Sequence, residues 1–263
     1  MNADGRPSPL TATWVAELTG LGPFFAVETH AGARAEPPWR PMAELVGDGA
    51  ALTDRVRSVR AALAAASGQA PDGVELRVAA SVTQLGLAAR LISPVLGAAV
   101  TSSAVPRLDL EDMWWQPALG GAFPLSIPLQ PAPDKPTGVP GPSSGDLAAL
   151  IGRTLLDGPI AALVTAVRNA FPISLQVLWG NVASAVNGAA TMITTQRPEL
   201  APRANALAAR LLSRPPLSAT RAGVGPRFRR RSCCLIYRIS PTGRDALCAD
   251  CVLGGVSPTV VTG

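Results

Sequence analysis

Apolar residues recur at helical spacing along most of the chain. Within residues 54–67 they fall three and four positions apart and form one stripe, made of Val56, Val59 and Leu63. Runs of helical character return in the second half, at residues 147–156, 159–169, 174–194 and 198–212. The pattern therefore predicts a mainly α fold of the α+β class, with only a small β component.

A longer helix is predicted in the middle of the first half. Asp72 and Glu75 fit a capping box at its start, and its apolar face extends to about Leu91. Because proline lacks the N–H that a helix interior requires, Pro94 is expected to start or kink a further helix that ends near Val100.

The second half carries its own helix signals. Ser143 and Asp146 fit a cap before a helix that starts at Leu147, and Pro159 suits the first position of the next helix. From residue 213 onward the helical pattern stops. We therefore divide the chain into a helical domain, residues 1–212, and a linker with a cysteine-rich segment, residues 213–263.

The predicted extended segments are short. A helix over residues 13–21 should end at Gly22-Pro23, and residues 24–28 should form a strand. A second extended segment is expected at residues 123–128, before a loop rich in proline and glycine that runs to residue 145.

Composition and charge exclude some classes of protein. The net charge of +5 is modest and aromatic residues make up only 4% of the chain, so nucleic-acid binding is not expected. The longest apolar tract, residues 78–100, is interrupted by Gln84, Arg90 and Pro94, which argues against a membrane span. The first residues lack the pattern of a signal peptide, so we expect a cytoplasmic protein with reduced thiols.

All four cysteines of the chain lie close together near its C-terminus. They are Cys233, Cys234, Cys248 and Cys251, with thirteen residues between the two pairs. Isolated buried cysteines would not cluster in this way, and a disulfide between adjacent cysteines would be strained. The spacing therefore indicates a metal centre held by four thiolates.

Two metal centres fit four thiolates. Structural zinc sites usually combine two C-x2–4-C units, and only Cys248 and Cys251 form such a unit here. A [2Fe–2S] cluster also takes four cysteines, and its two irons let adjacent thiolates approach from different sides. Spacing alone favours the iron–sulfur cluster and leaves zinc open.

The cysteine segment resembles the C-terminal signature of FhuF-type ferric-siderophore reductases. The resemblance lies in residues 229–238, RRRSCCLIYR, and residues 247–253, LCADCVL. Looser similarity is found at residues 78–81, 88–94 and 178–184. The gap between the two cysteine pairs is longer than usual for that family, and residues 239–246 hold the extra length.

The resemblance implies both a cofactor and an activity. It places a [2Fe–2S] cluster on Cys233, Cys234, Cys248 and Cys251. It further implies reduction of a ferric siderophore to ferrous iron. No nicotinamide-binding fingerprint is present, so electrons would come from a separate flavin-dependent reductase or a ferredoxin.

Two further groups of residues have candidate roles. The arginines around the first cysteine pair are candidates for attracting an anionic chelate or a redox partner: Arg229, Arg230, Arg231 and Arg238. The single histidine, His30, and the pair Trp114-Trp115 are interpreted as structural. A non-enzymatic iron–sulfur sensor or carrier and a zinc-stabilised binding module remain alternative functions.

Overall fold

The computed structural model describes residues 15–32, 36–129, 142–239 and 247–253. Residues 15–19 are helical, and six longer helices follow: α1 (Ala50–Ala66), α2 (Leu76–Ser102), α3 (Ser144–Ile151), α4 (Ala161–Ala170), α5 (Leu175–Gln196) and α6 (Ala201–Leu212). The predicted mainly helical fold with a small β component is confirmed. The first residues of the helix predicted at 13–21, most of the loop before residue 145 and most of residues 239–246 lie outside the described residues.

The central helix α2 is buried along most of its length and packs against α1 and α5. It continues without interruption through Pro94, so the separate helix expected at this proline is wrong. Burial of the apolar side chains on nearly every face of α2 stabilises the helix and outweighs the one missing N–H. The prediction of a capping box at Asp72 and Glu75 is also wrong, because the Glu75 side chain forms ion pairs with Arg77 and Arg238 instead.

The second half follows its cap signals closely. The capping box at Ser143 and Asp146 is confirmed, and Ser174 caps α5 by accepting a hydrogen bond from the Val177 N–H. Between α3 and α4 the chain runs through a wide π-helical turn, Gly152–Ile160, and kinks at Gly158. Pro159 therefore sits just after the kink, two residues before α4 begins at Ala161.

A four-stranded sheet covers one side of the helices. Its strands are β1 (Glu28–His30), β2 (Arg40–Pro41), β3 (Trp114–Trp115) and β4 (Leu125–Pro128), in the order β1-β4-β3-β2. Strands β1 and β4 are parallel, whereas β4–β3 and β3–β2 are antiparallel. The extended segment predicted before residue 128 is confirmed as β4.

The strand predicted at residues 24–28 begins only at Glu28. The buried guanidinium of Arg90 in α2 explains this, because it donates hydrogen bonds to the carbonyls of Phe24 and Ala26. It also donates to the carbonyl of Phe123, at 2.8 Å. Burial lowers the pKa of Arg90 to about 10. Arg90 thus fixes two turns on the helical core and takes carbonyls that a strand would have used.

Trp115 and His30, which the sequence analysis interprets as structural, both make packing or hydrogen-bond contacts within the fold. Trp115 is fully buried and contacts Phe123 edge to face, with 5.6 Å between ring centroids. The His30 ring joins two parts of the sheet region, through Ser126 Oγ at 2.8 Å and the Asp112 carbonyl at 3.1 Å. Both residues contribute to packing of the sheet on the helices.

Two helical stretches are long and apolar enough to cross a membrane by length and composition. They are Leu76–Ser102 and Ser144–Ala170, and 72% and 56% of their most apolar windows are buried inside the protein. Burial of this kind is expected for core helices of a folded domain, and one or two such stretches are weak support for a membrane span.

The chain after α6 packs back onto the helices. Leu217 and Phe228 are buried in the main hydrophobic core, and the short strands β5 (Arg221–Ala222) and β6 (Arg229–Arg230) pair antiparallel. Leu235 and Ile239 pack on a smaller apolar cluster made of Ala64, Val74 and Val78. The cysteines are thereby held over the junction of α1, α2 and α5.

Candidate metal centre

A tight turn follows the adjacent cysteines. Leu235 has a left-handed backbone with φ of 73°, an uncommon conformation for a residue with a branched side chain. The Leu235 N–H then donates to Cys233 Sγ at 3.3 Å. This is the sharp local turn that adjacent cysteines need if both thiols are to reach one centre.

The four sulfur atoms form two close pairs. Cys234 Sγ and Cys248 Sγ lie 3.6 Å apart, and the Cys251 thiol lies close enough to Cys233 to influence its pKa. Two sulfurs bound to one tetrahedral metal at about 2.3 Å lie about 3.8 Å apart, so the spacing of the first pair suits two ligands of one metal. All four cysteines are free thiols, which excludes a disulfide in this structure.

Three of the four thiols accept a hydrogen bond from a nearby donor. Backbone N–H groups two residues further along the chain serve two of them, Leu235 for Cys233 and Leu253 for Cys251. The guanidinium of Arg230 serves a third, Cys248. Donors directed at sulfur stabilise thiolates, which is the form that binds a metal.

Without a metal, the two thiols of the first sulfur pair, Cys234 and Cys248, have pKa values shifted in opposite directions. The hydrogen bond with Cys248 lowers the pKa of Cys234 to about 5, against the effect of burial and with help from the Arg230 charge. The same contact raises the pKa of Cys248. Burial raises the pKa of Cys233 to about 11. Metal binding at these thiols would therefore displace protons.

Arg230 lies beside this pair, and its side chain is buried, with 2% exposed. It donates a hydrogen bond to Cys248 Sγ, and the charge of Cys234 acts on it. Its Nη2 also donates to Asp250 Oδ1 at 3.0 Å. Burial opposes ionisation of the guanidinium, but the nearby Cys234 and Asp250 charges raise the pKa of Arg230 overall.

A buried polar network connects Arg230 to the helical core. Its Nη1 donates to Asn181 Oδ1 of α5 at 3.0 Å. The Asn181 amide in turn donates to the Ser81 hydroxyl at 3.1 Å and to Gln84 Oε1 at 3.0 Å, both on α2. Ser184 of α5 donates to the Asp250 carboxylate. The cysteine segment is thus bound to both central helices by directional contacts.

Comparison with known protein families gives one match. Residues 230–253 match the FhuF 2Fe-2S C-terminal domain. This segment is therefore similar to the C-terminal part of FhuF-type proteins. The match begins at Arg230 and includes all four cysteines. Comparisons with curated proteins and with solved structures find no match.

An FhuF-type segment carries a [2Fe–2S] cluster, and the residues present here fit that group. In the described residues, no three potential ligands come close enough to hold a single metal ion. Two sulfur pairs suit two irons better than one zinc, which needs four sulfurs around one point. The buried Nε of Arg230 lacks a hydrogen-bond partner within the described chain, and sulfide ions of a cluster would supply acceptors beside it.

The arginines predicted near this FhuF-type site have different environments. Arg229 and Arg231 are exposed on either side of the inward-facing Arg230. Arg238 is exposed and forms an ion pair with Glu75 at the start of α2. Of these four predicted arginines, Arg229 and Arg231 are therefore the two that are exposed and form no ion pair with the described residues.

Several residues of the site were not identified from the sequence. They are Ser81, Asn181, Ser184 and Asp250. One signal was available: the looser stretches of FhuF resemblance, residues 78–81 and 178–184, contain the first three of them. Their polar side chains lie on otherwise apolar helix faces, which marks buried hydrogen bonding.

Proposed function

We propose that this FhuF-type protein reduces ferric iron held by a siderophore, in the cytoplasm, and so releases the iron as the ferrous ion. The observation that carries the proposal is the match of residues 230–253 to the FhuF 2Fe-2S domain, in a segment whose four thiols form two pairs. Cys233, Cys234, Cys248 and Cys251 are the proposed ligands of the cluster.

Reduction is an effective route to iron release. Siderophores bind ferric iron through hard oxygen donors, which hold the softer and less charged ferrous ion far less tightly. When bound, the cluster supplies one electron at a time. One electron converts the chelated ferric ion to ferrous, and the vacated oxygen donors take up protons from solvent.

The surface of the segment suits an electron-transfer role. Cys233 and Cys248 are partly exposed, whereas Cys234 and Cys251 are buried. The exposed guanidinium groups of Arg229 and Arg231 lie on the same segment and favour approach of anions. We propose that they attract an anionic ferric chelate or an acidic electron donor, either a ferredoxin or a flavin-dependent reductase.

A single-turnover experiment tests this function. The protein is purified without oxygen, reduced with dithionite, freed of excess reductant and mixed with a ferric trihydroxamate. We expect the cluster to be reoxidised and about one ferrous ion per cluster to be captured by a ferrous-specific chelator. The gallium complex of the same hydroxamate is the control, because it has the same charge and shape but accepts no electron under these conditions.

The outcome separates the proposed enzyme from its alternatives. A cluster that stays reduced in the presence of the ferric chelate would contradict the reductase function. If the spectrum of the cluster also fails to respond to the gallium complex, a sensor or a carrier for another acceptor is the better explanation.

A further inference from the structure

The two sulfur pairs cross the sequence. Each pair takes one member from the adjacent cysteines and one from Cys248-x2-Cys251: Cys234 pairs with Cys248, and Cys233 with Cys251. Pairing by sequence neighbours would have joined Cys233 to Cys234 instead. The left-handed turn at Leu235 and the contacts of Arg230 favour the crossed arrangement.

The pairs differ in charge environment rather than in burial. Each pair has one buried and one partly exposed cysteine. Arg230, however, donates a hydrogen bond to Cys248 Sγ and its charge lies close to Cys234, and no hydrogen bond from Arg230 to Cys233 or Cys251 is found among the described residues. The buried positive charge of Arg230 therefore lies beside the Cys234/Cys248 pair.

We propose that Cys234 and Cys248 bind one iron, that Cys233 and Cys251 bind the other, and that the electron taken up on reduction resides on the Cys234/Cys248 iron because Arg230 lies beside it. One electron converts that ferric ion to ferrous, and the second iron stays ferric. The ferrous site carries one more negative charge, which the adjacent guanidinium stabilises. Arg230 is thus a positioning residue that sets the site of reduction.

This inference rests on the cluster and not on the proposed substrate. It would stand if the ferric chelate were not reduced, and it can fail while the reductase activity holds. Its tests therefore use spectroscopy and redox titration without a siderophore.

Mössbauer spectroscopy of four iron-57-labelled variants tests the pairing. Each cysteine is replaced by serine in turn, and each protein is reduced by one electron. Cys234→Ser and Cys248→Ser should change the ferrous doublet, because oxygen then replaces one sulfur ligand of that iron. Cys233→Ser and Cys251→Ser should change the ferric component and leave the ferrous doublet as in the unmodified protein.

Two results would overturn the pairing. One is that sequence neighbours behave alike, Cys233→Ser with Cys234→Ser. The other is that the ferrous doublet changes in Cys233→Ser and Cys251→Ser but not in the other two variants.

Redox titration tests the role of Arg230 with the cysteines intact. Arg230→Gln should lower the equilibrium constant for reduction roughly tenfold, which moves the midpoint potential down by about 59 mV. Arg230→Lys keeps the charge, so its equilibrium constant for reduction should stay close to that of the unmodified protein. Arg229→Gln removes an equal but exposed charge, and should change the constant by less than about threefold because solvent screens it. Equal shifts in Arg230→Gln and Arg229→Gln would contradict the proposal.

If the variants fail to assemble a cluster, a measurement on the unmodified sequence tests whether Arg230 lies beside the reduced iron. The protein is grown with nitrogen-15 arginine, and the reduced cluster is examined by pulsed electron paramagnetic resonance. Coupling to an arginine nitrogen is expected in the unmodified protein and in Arg229→Lys. Absence of that coupling in the unmodified protein would overturn the placement of Arg230 beside the reduced centre.

Discussion

Asn181 holds together the buried polar network between the cysteine segment and the helices. Its carbonyl oxygen accepts from Arg230, and its amide donates to Ser81 and Gln84. It therefore satisfies a buried positive charge and two side chains on another helix at once. An apolar side chain of similar size cannot replace these contacts.

We expect Asn181→Leu to destabilise the cluster-loaded protein by about 2–3 kcal/mol, because the Arg230 Nη1 then loses a hydrogen bond in a buried site. In a domain of this size each kcal/mol lowers Tm by about 2–4 °C. Anaerobic thermal melting followed by circular dichroism measures the effect. Asn187→Leu, at a partly exposed position of the same helix, is the control. Equal Tm values for the two variants would contradict the role assigned to Asn181.

For single residues, the sequence predicts which residue types form the site better than it predicts which side chains point into the protein. Four clustered cysteines are a strong signal, because thiols are rarely grouped without a shared ligand. The inward direction of Arg230 is not visible in the sequence, since Arg229 and Arg231 on either side are chemically identical. Its burial depends on Asn181, which lies 49 positions away along the chain.

The helix α2 is the element on which the other parts of the fold pack. Gly97 lies where the N-terminal residues cross this helix. A Cβ atom there would lie 2.7 Å from Leu18 Cδ2 and 2.9 Å from Phe25 Cδ1. Both side chains are fully buried, so neither can move aside cheaply. A Cβ atom on Gly86, in the same helix, would meet open space, with no heavy atom of the described chain within 4 Å.

These two glycines give a matched test of packing on α2. Gly97→Ala should cost about 1–3 kcal/mol through overpacking, reduced in part by the better helix propensity of alanine. Gly86→Ala should instead stabilise the protein by up to about 1 kcal/mol. Denaturant unfolding compares the two free energies. Equal free energies of unfolding for Gly97→Ala and Gly86→Ala would show that the side chains around Gly97 can make room for a Cβ atom.

Helix positions were predictable where caps and apolar stripes agree. The capping box at Ser143 and the apolar run of α5 both appear as expected. The predictions failed where tertiary contacts override local signals, as in the continuous helix through Pro94 and the turn at residues 24–27. Burial of α2 and the three carbonyls bound by Arg90 decide those two cases.

At the scale of the whole molecule, the cysteine segment is attached to a helical body with its own large core. The segment contributes Leu235 and Ile239 to a small apolar cluster and is otherwise held to the body by hydrogen bonds and by the Arg238–Glu75 ion pair. A bound cluster should therefore order the segment much more than the body, because metal ligation and local folding are coupled.

Hydrogen exchange of cluster-loaded and metal-free protein tests this difference. Amides in residues 230–239 and 247–253 should exchange faster after the cluster is removed. Amides in α2 and α5 should keep their protection, since their packing does not involve the cysteines directly. Equal exchange in the segment with and without the cluster would contradict the coupling, and loss of protection in α2 would show that the body depends on the metal.

Metal and sulfide analysis shows whether the four cysteines hold a [2Fe–2S] cluster. The protein is purified without oxygen, both as the unmodified chain and as Cys234→Ser. We expect about two irons and two acid-labile sulfides per chain in the first, and loss or a marked decrease of that content in the second. Colourless unmodified protein with one zinc per chain and no sulfide would rule the cluster out.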